Sequence, residues 1–203
     1  MFHVKHEGLL ARYSQFEDGL TAYAHWLETA GIERGLLGPR EVDRIWDRHI
    51  ANCAVIEELI PLGATVYDVG SGAGLPGLPI AIVRPDLKLT LIEPLLRRAT
   101  FLTEVIADLD LGSRVQVVRA RAEVTKLPKS DVVTARAVAP LTKLLTWTLP
   151  LVKPGGMILA MKGSSVEAEI EEAQPIIKSR PVSIHYCGQS VVDPLTTVVK
   201  VMG

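Results

Sequence analysis

The stretch Asp68-Val69-Gly70-Ser71-Gly72-Ala73-Gly74-Leu75-Pro76-Gly77 decides the fold of this chain. It begins at the end of residues 65–69, a short run of β-prone residues that predicts a strand. It leads into residues 77–83, an apolar run before Pro85 that predicts a helix. A strand that enters a glycine cluster and then a helix is typical of a ligand site at the carboxyl end of a parallel sheet, where the backbone approaches the ligand closely.

Downstream of this turn, strand-like and helix-like runs alternate. Strands are predicted at residues 87–93, 115–118, 131–134 and 157–160, and helices at 97–109, 141–149 and 167–173. Strands separated by helices imply βαβ units, a mainly parallel sheet and helices on both of its faces. The last two runs, 182–186 and 197–201, are separated by Gly188 and Pro194 and predict an antiparallel hairpin. The predicted fold is therefore α/β and Rossmann-like.

Upstream of the turn, the apolar spacing changes to that of helices. Apolar residues recur every three or four positions over 9–27 and again over 41–60, which predicts two amphipathic helices. Between them, residues 33–39 contain two glycines and a proline and predict a loop. We therefore expect one domain over 1–203, made of a helical extension over 1–62 and a cofactor-binding core over 63–203.

Composition narrows the class of protein. The chain has 203 residues, 48% of them hydrophobic, which is enough for one buried core. Its start, with His3, Lys5 and His6, lacks the pattern of a signal peptide, and no apolar run approaches the roughly 20 residues of a membrane span. Only Cys53 and Cys187 are present, with no metal-ligand spacing. We expect a cytoplasmic protein with reduced thiols, no metal and no membrane association.

Charge is unevenly distributed along the chain. The net charge is −1, so the chain as a whole does not resemble a protein that binds polyanions. Residues 114–136, however, contain six basic and two acidic residues, which leaves a local basic segment. Any contact with nucleic acid is therefore expected from a local patch.

Two cofactors compete for the glycine-rich turn. Residues 72–77 match the G-x-G-x-x-G pattern of dinucleotide enzymes, although this match alone is weak. Pro76 lacks an N–H group at the helix start, where a pyrophosphate would need one. Asp68 places negative charge beside the turn, which disfavours a phosphate and favours a sulfonium cation. With Glu93 as the acceptor for two ribose hydroxyls, these residues favour S-adenosylmethionine and a class I methyltransferase fold.

Several further motifs carry a resemblance to one family. They are Trp46-Asp47-Arg48-His49-Ile50 with Asn52, the turn extended through Leu78-Pro79, Arg121-Ala122-Glu123, Thr134-Ala135-Arg136-Ala137 and Lys162-Gly163. With them, nearly the whole chain resembles the bacterial small-subunit ribosomal RNA guanine-N7 methyltransferases, also called glucose-inhibited division protein B. The resemblance implies a methyltransferase that modifies N7 of a guanine in 16S ribosomal RNA. It fails at residues 32–39, where many members carry Asn-Leu-Thr, so no role of that asparagine is carried over.

The resemblance and the turn together define an expected cofactor site. The expected cofactor-binding residues are Asp68, Gly70, Gly72, Gly74, Leu75, Glu93, Ala122, Glu123 and Arg136. Of these, the family implies Gly70 and Leu75 on the turn, Ala122 and Glu123 after the third strand, and Arg136 after the fourth.

Guanine N7 has a free lone pair and no proton to lose, so the implied reaction is a direct in-line transfer without a general base. Catalysis then rests on alignment of the two reactants. Arg136 and Lys162 are the expected donors to the guanine, and His49 is either a pocket residue or a buried structural histidine. The RNA backbone is expected to meet basic side chains. These are Arg48, Arg97, Arg98, Arg119 and Arg121.

The expected partner is small-subunit ribosomal RNA or the small ribosomal subunit, and we expect a monomer without an obligate protein partner. Three other functions stay open from the residues. The first is a small-molecule methyltransferase of the same fold, and the second is an NAD-dependent oxidoreductase based on the G-x-G-x-x-G match. The third is an assembly factor without catalysis, which an intact cofactor motif disfavours.

Overall fold

The computed structural model describes residues 7–203 and contains seven strands in one sheet. The strands are β1 (Thr65–Val69), β2 (Lys88–Ile92), β3 (Val115–Val118), β4 (Ser130–Arg136), β5 (Val152–Lys162), β6 (Val182–Cys187) and β7 (Thr196–Met202). Their order across the sheet is β3-β2-β1-β4-β5-β7-β6. The first five are parallel, and β7 lies antiparallel between β5 and β6. The predicted Rossmann-like α/β fold and its antiparallel C-terminal hairpin are confirmed.

Helices cover both faces of this sheet. They are α1 (Glu7–Tyr13), α2 (Glu17–Trp26), the single turn α3 (Asn52–Ala54), α4 (Gly77–Val83), α5 (Leu96–Asp108), α6 (Leu141–Thr148) and α7 (Val166–Ile177). Successive strand residues point to opposite faces, so Val66 packs in one apolar cluster and its neighbour Tyr67 in the other. One cluster contains α4 and α5, and the other contains α6 and α7.

The helical extension packs on the same face as α4 and α5. Leu20, Leu27 and Ile45 are fully buried there, in one cluster with Leu78 and Phe101 of the core. Trp26 meets the edge of the Phe101 ring at a centroid distance of 5.7 Å. The extension is therefore held against the sheet by the apolar stripes that the sequence pattern predicts. The part of the extension over residues 1–6 lies outside the described residues.

The two helices predicted in this extension are less regular than expected. The first is divided by a 3₁₀ turn at Ser14–Phe16 and ends in a π-helical turn at Leu27–Gly31. The second begins as a 3₁₀ turn at Pro39–Arg44, where Arg44 leaves the α region with φ −116° and ψ 2°, and continues as the π-helical segment Ile45–Ala51. The apolar periodicity thus identifies the buried face correctly, but it does not distinguish α-helix from tighter or wider turns. Among residues 7–203, no helix has the length and apolar character needed to cross a membrane.

Candidate functional site

The glycine-rich turn joins β1 to α4 at the carboxyl edge of the sheet. Gly70 and Gly74 have φ values of +71° and +102°, which side chains rarely tolerate. The N–H groups of Gly70 and Ser71 donate to the carbonyl of Ile92 at 2.8 and 3.3 Å, so the turn is tied to the end of β2. A Cβ at Gly70 would lie 2.8 Å from Val138 Cγ2. Gly70 is therefore required both by its backbone conformation and by the lack of space for a side chain.

Asp68 lies beneath this turn. Its side chain is fully buried, and Oδ2 accepts a 3.1 Å hydrogen bond from the N–H of Gly77. Oδ1 is buried without a hydrogen-bond partner among the described residues. Burial raises the pKa of this carboxyl group to about 7. Asp68 therefore supports the turn from below and does not line the cavity above it.

Glu93 follows β2 and joins the turn to the chain that leads into α5. Its side chain is buried, and Oε2 accepts from the N–H of Gly72 at 2.9 Å. Oε1 accepts from the N–H of Leu95, also at 2.9 Å. Each carboxylate oxygen can accept a second hydrogen bond, so the group can still take the two hydroxyls of a ribose. The predicted position of this acid beside the turn agrees with the structure.

A cavity of about 760 Å³ opens above the turn. Most of the expected site residues line it, namely Gly70, Gly72, Leu75, Glu93, Ala122, Glu123, Arg136 and His49, together with Arg98 and Arg121. Asp68 and Gly74 are not among the lining residues. Ala122 and Glu123 stand on a 3₁₀ turn after β3, with Ala122 buried and Glu123 exposed.

The same cavity contains residues that the sequence analysis did not identify. They are Leu36 and Leu37 of the extension, the apolar pair Ile92 and Leu95, and Val138, Lys143 and Trp147 around α6. The Lys143 ammonium lies 5.2 Å from the Trp147 ring centroid. Leu36 and Leu37 belong to the predicted loop that departs from the family pattern, so neither periodicity nor resemblance could assign them.

Arg136, at the carboxyl end of β4, contacts two residues of the extension. One guanidinium nitrogen donates to His49 Nδ1 at 2.7 Å, and the other donates to Cys53 Sγ at 3.2 Å. His49 Nε2 lies 2.8 Å from Glu41 Oε2. A guanidinium group can only donate, so Nδ1 accepts and Nε2 carries the proton of a neutral imidazole. Burial, and then the charge of Arg136, lower the pKa of His49 and favour that neutral form.

A second cavity, of about 1040 Å³, lies on the other side of Arg136. It shares Arg136, Ala137 and Val138 with the first cavity. The rest of its wall includes Arg48, Asn52, Lys162, the segment 163–165 and the segment 194–197. Arg136 therefore stands at the boundary between a cavity beside the glycine-rich turn and a cavity with basic and amide side chains.

Lys162 is held inside the wall of the second cavity. Its Nζ donates to Glu169 Oε2 at 2.7 Å and to the carbonyl of Ala139 at 2.9 Å. The same Glu169 oxygen accepts from the N–H of Leu141, the first residue of α6, at 2.8 Å. The lysine side chain is only 8% exposed. Lys162 thus joins the ends of β4 and β5 to α6 and α7, a role that the sequence analysis did not predict.

The arginines expected to contact RNA differ in their surroundings. Arg97, Arg119 and Arg121 are exposed, and Arg121 lies 3.9 Å from Glu123. Arg98 is partly buried near Glu93, with its Nε lacking a hydrogen-bond partner among the described residues. Arg48 is exposed and contacts Glu41 at 3.2 Å. Within residues 7–203, no three His, Cys, Asp or Glu side chains form a group that could hold a metal ion.

The residues of the first cavity fit an adenosyl cofactor. The turn offers backbone without side chains at Gly70 and Gly72, and Glu93 offers a buried carboxylate for hydroxyl groups. Ile92 and Leu95 add apolar wall beside that carboxylate. Such a combination of close backbone, one acid and apolar surface is what a neutral nucleoside attached to a cationic group requires.

Comparison with known proteins agrees with this geometry. The model of the family described as rRNA small subunit methyltransferase G matches residues 17–191. Relatives named ribosomal RNA small subunit methyltransferase G include one from Salinispora tropica, 55% identical over 192 residues, with 89% of this chain and 78% of the relative covered. Another, from Streptomyces coelicolor, is 56% identical over 184 residues and covers 88% and 77% of the two chains.

Solved structures with low sequence identity show the same fold. A SAM dependent methyltransferase from Aquifex aeolicus has a TM-score of 0.57 at 19% identity, covering 82% of this chain and 98% of that chain. A methyltransferase from Pyrococcus furiosus has a TM-score of 0.59 at 14% identity, covering 73% and 79%.

The family match spans most of the described residues, including the turn, Glu93 and Arg136. The resemblance found in the sequence is thereby confirmed, and the oxidoreductase suggested by the G-x-G-x-x-G pattern is set aside. The cofactor is S-adenosylmethionine. This chain is a methyltransferase and belongs to the rRNA small subunit methyltransferase G family.

Proposed function

We propose that the enzyme methylates N7 of a guanine in small-subunit (16S) ribosomal RNA by direct in-line transfer. The observation that carries the proposal is the pair of cavities that meet at Arg136. The first is built for the cofactor, and the second has the size and polar wall expected of a site for a nucleotide removed from its stack. Relatives named for ribosomal RNA of the small subunit support the choice of substrate.

The cofactor supplies an electrophilic methyl group when it is bound. Gly70, Leu75 and Glu93 would hold it in the first cavity, whose wall also includes Ala122 and Glu123. Arg136 faces both cavities, so its guanidinium is the donor best placed to orient a guanine through O6 without covering N7. Holding two reactants in attack geometry is worth up to about 7–11 kcal/mol in favourable systems.

No general base is needed, and the side chains around Arg136 fit this. His49 is the only histidine in the walls of the two cavities among the described residues. Both of its ring nitrogens are engaged, Nδ1 by Arg136 and Nε2 by Glu41. A nucleophile with a free lone pair, such as guanine N7, needs no proton acceptor, so the site requires alignment rather than acid–base chemistry.

The target base must reach the second cavity from a loop or a distorted helix, since a base inside a helix is not accessible. Arg97, Arg119 and Arg121 are exposed, Arg121 lines the first cavity, and Arg48 lines the second. These side chains supply contacts to RNA phosphates. We place the enzyme in the cytoplasm as a monomer that acts on ribosomal RNA or on the small subunit.

The test is transfer of label from S-adenosylmethionine. The protein is incubated with labelled cofactor and either naked 16S RNA or small subunits, both from a strain without the enzyme. Label at guanine N7, located by chemical cleavage specific for N7-methylguanine, is the expected result. Label at another atom contradicts the proposed position, and no label on either RNA contradicts the proposed substrate. A small-molecule methyltransferase would also bind its substrate without the steep salt dependence expected for RNA.

A further inference from the structure

Glu41, which none of the sequence patterns identified, stands at the outer end of a hydrogen-bonded row that leads to the centre of the site. The row runs from Glu41 Oε2 to His49 Nε2 and from His49 Nδ1 to the Arg136 guanidinium, with distances of 2.8 and 2.7 Å. Glu41 lies on the 3₁₀ turn Pro39–Arg44, far along the chain from β4. The helical extension thus contacts the reaction centre through this row.

We propose that Glu41 is a positioning residue, which holds His49 as the Nε2–H tautomer so that Nδ1 accepts from Arg136 and fixes its guanidinium between the two cavities. The expected effect of Glu41 on methylation rests on the proposed function, whereas the tautomer of His49 does not depend on it. Glu41 itself lines neither cavity, so it acts through the wall residues that it contacts, His49 at 2.8 Å and the exposed Arg48 at 3.2 Å.

The tautomer follows from the chemistry of the three partners. A carboxylate accepts from Nε2–H, and a guanidinium donates to Nδ1, so only one neutral form satisfies both contacts. The opposite tautomer would direct Nδ1–H at a donor and leave a lone pair facing Glu41. His49 is buried, so a misdirected N–H and an unpaired lone pair would both be costly there.

Arg136 has a second contact that limits its motion. Its other nitrogen donates to Cys53 Sγ at 3.2 Å, and Cys53 is fully buried. Sulfur is a weak acceptor, so this contact directs the guanidinium less strongly than the imidazole does. His49 is therefore the contact on which the orientation of Arg136 depends, and Glu41 is the residue that prepares His49 for it.

Protonation of His49 converts Nδ1 from a hydrogen-bond acceptor into a donor. An imidazolium carries N–H on both nitrogens, so Nδ1 then faces Arg136 as a donor against a donor. The charged groups that face His49 are Arg136 on β4, Glu41 on the 3₁₀ turn, and Arg48 on its own helix. Glu41 alone among these favours the imidazolium, so removal of its charge moves protonation to lower pH.

The test compares Glu41→Gln and Glu41→Ala with wild type and with Asp43→Asn. Asp43 is an exposed acid on the same turn and serves as the matched control. The first measurement is NMR of the His49 ring nitrogens across pH, which needs no activity. We expect the Nε2–H tautomer near pH 7.5 in wild type and D43N, and a His49 titration at lower pH in E41Q. An Nδ1–H tautomer in wild type, or a titration of His49 that E41Q does not change, overturns the proposal.

The second experiment measures the rate of RNA methylation and, separately, the binding of S-adenosylhomocysteine. We expect E41A to lower kcat about ten- to hundredfold, as expected for a misplaced group, while E41Q recovers most of that loss through its amide oxygen. The acidic limb of the kcat profile moves to lower pH in E41Q and E41A and stays in place in D43N. Equal kcat in E41A and wild type overturns the proposal. If E41A does not fold, the His49 titration and the kcat–pH profile of E41Q are compared with those of wild type and decide the role of Glu41. If wild type methylates no RNA, the proposed function fails and the NMR result alone decides the role of Glu41.

Discussion

The N–H of Gly77 donates to Oδ2 of Asp68, and the other carboxylate oxygen of Asp68 is buried without a partner in the described chain. Ionisation of this carboxyl group is therefore costly, and its pKa lies near 7 in the folded protein. In the unfolded chain the group is ionised above about pH 4. Between these values the folded state holds a proton that the unfolded state has released.

The first prediction concerns the pH dependence of stability without cofactor. A raised carboxyl pKa contributes stability that is fully present below about pH 4 and is lost as the pH rises through about 7. Asp68→Asn removes this titration, so the free energy of unfolding of wild type should fall relative to D68N by up to about 1.4 kcal/mol per pH unit, and the difference should level off above pH 7. Denaturant titrations from pH 5 to 8 measure it. A difference in the free energy of unfolding that does not vary with pH would contradict the raised pKa of Asp68.

The second prediction compares two glycines of the turn. Gly74→Ala would place a Cβ against Leu78 Cδ1 and 2.8 Å from Leu78 Cγ at a φ of +102°, whereas a Cβ at Gly72, with φ +59°, meets no atom closer than 3.9 Å. We expect G74A to be about 2 kcal/mol less stable than G72A, because both variants carry backbone strain but only G74A is overpacked. Thermal and denaturant unfolding of the two proteins give this difference. Equal losses would mean that Leu78 moves aside without cost.

The third prediction assigns Lys162 to the framework. Lys162→Met leaves Glu169 without its cation, and we expect a loss of about 3 kcal/mol of stability. The double variant with Glu169→Gln should recover part of this loss, because no uncompensated charge then remains. Unfolding of the two single variants and the double variant forms the cycle. If K162M instead keeps wild-type stability and loses RNA methylation, Lys162 contacts the guanine as the sequence first suggested.

The fourth prediction concerns the basic surface. Arg121→Ala should weaken RNA binding and lower the slope of log K against log salt by about one, as expected for one lost phosphate contact. Lys88, exposed at the first residue of β2 and hence at the opposite edge of the sheet, is the control. Binding isotherms at several salt concentrations measure both slopes. An unchanged slope in R121A, or an equal change in K88A, would remove Arg121 from the RNA interface.

The fifth prediction concerns His49 itself. His49→Ala should impair RNA methylation more than binding of S-adenosylhomocysteine, because Arg136 loses the acceptor that orients it while Gly72 and Glu93 keep their hydrogen bond. Calorimetry for the cofactor product and initial rates for RNA separate the two effects. Loss of folding in H49A would instead support a purely structural histidine.

Much of the fold follows from local patterns. The period of the apolar residues separates strands from helices, and glycine and proline mark their ends, so β1, β2 and α4 lie where the sequence predicts them. The strand β5 begins five residues earlier than predicted, at Val152 instead of Met157. Lys153, Pro154 and Gly155 interrupt the apolar run there, but Ser130 of β4 still pairs with Val152 across an irregular register. Pairing between strands decided that boundary.

The sequence predicts candidate site residues where a local motif marks them, as at Gly70 in the turn and Glu93 at the end of a strand. It does not predict contacts between two segments that are far apart in the chain. Glu41 reaches His49 from the 3₁₀ turn Pro39–Arg44, and Leu36 reaches the cavity from the turn that precedes it. Neither residue has a spacing or a motif that marks it. Lys162 shows a second limit, because the sequence predicts a basic residue after a strand but does not show its partner Glu169.

Because β7 lies between β5 and β6, the order of the strands in the sheet differs from the order in which they are synthesised. The chain leaves the ribosome with β6 before β7, yet β6 joins the sheet only through β7. The glycine-rich turn and Glu93 are made early, whereas residues 194–197, which complete the second cavity, are made with the last strand. The nascent chain therefore contains every residue that lines the first cavity, the last of which is Trp147, well before it contains residues 194–197 of the second.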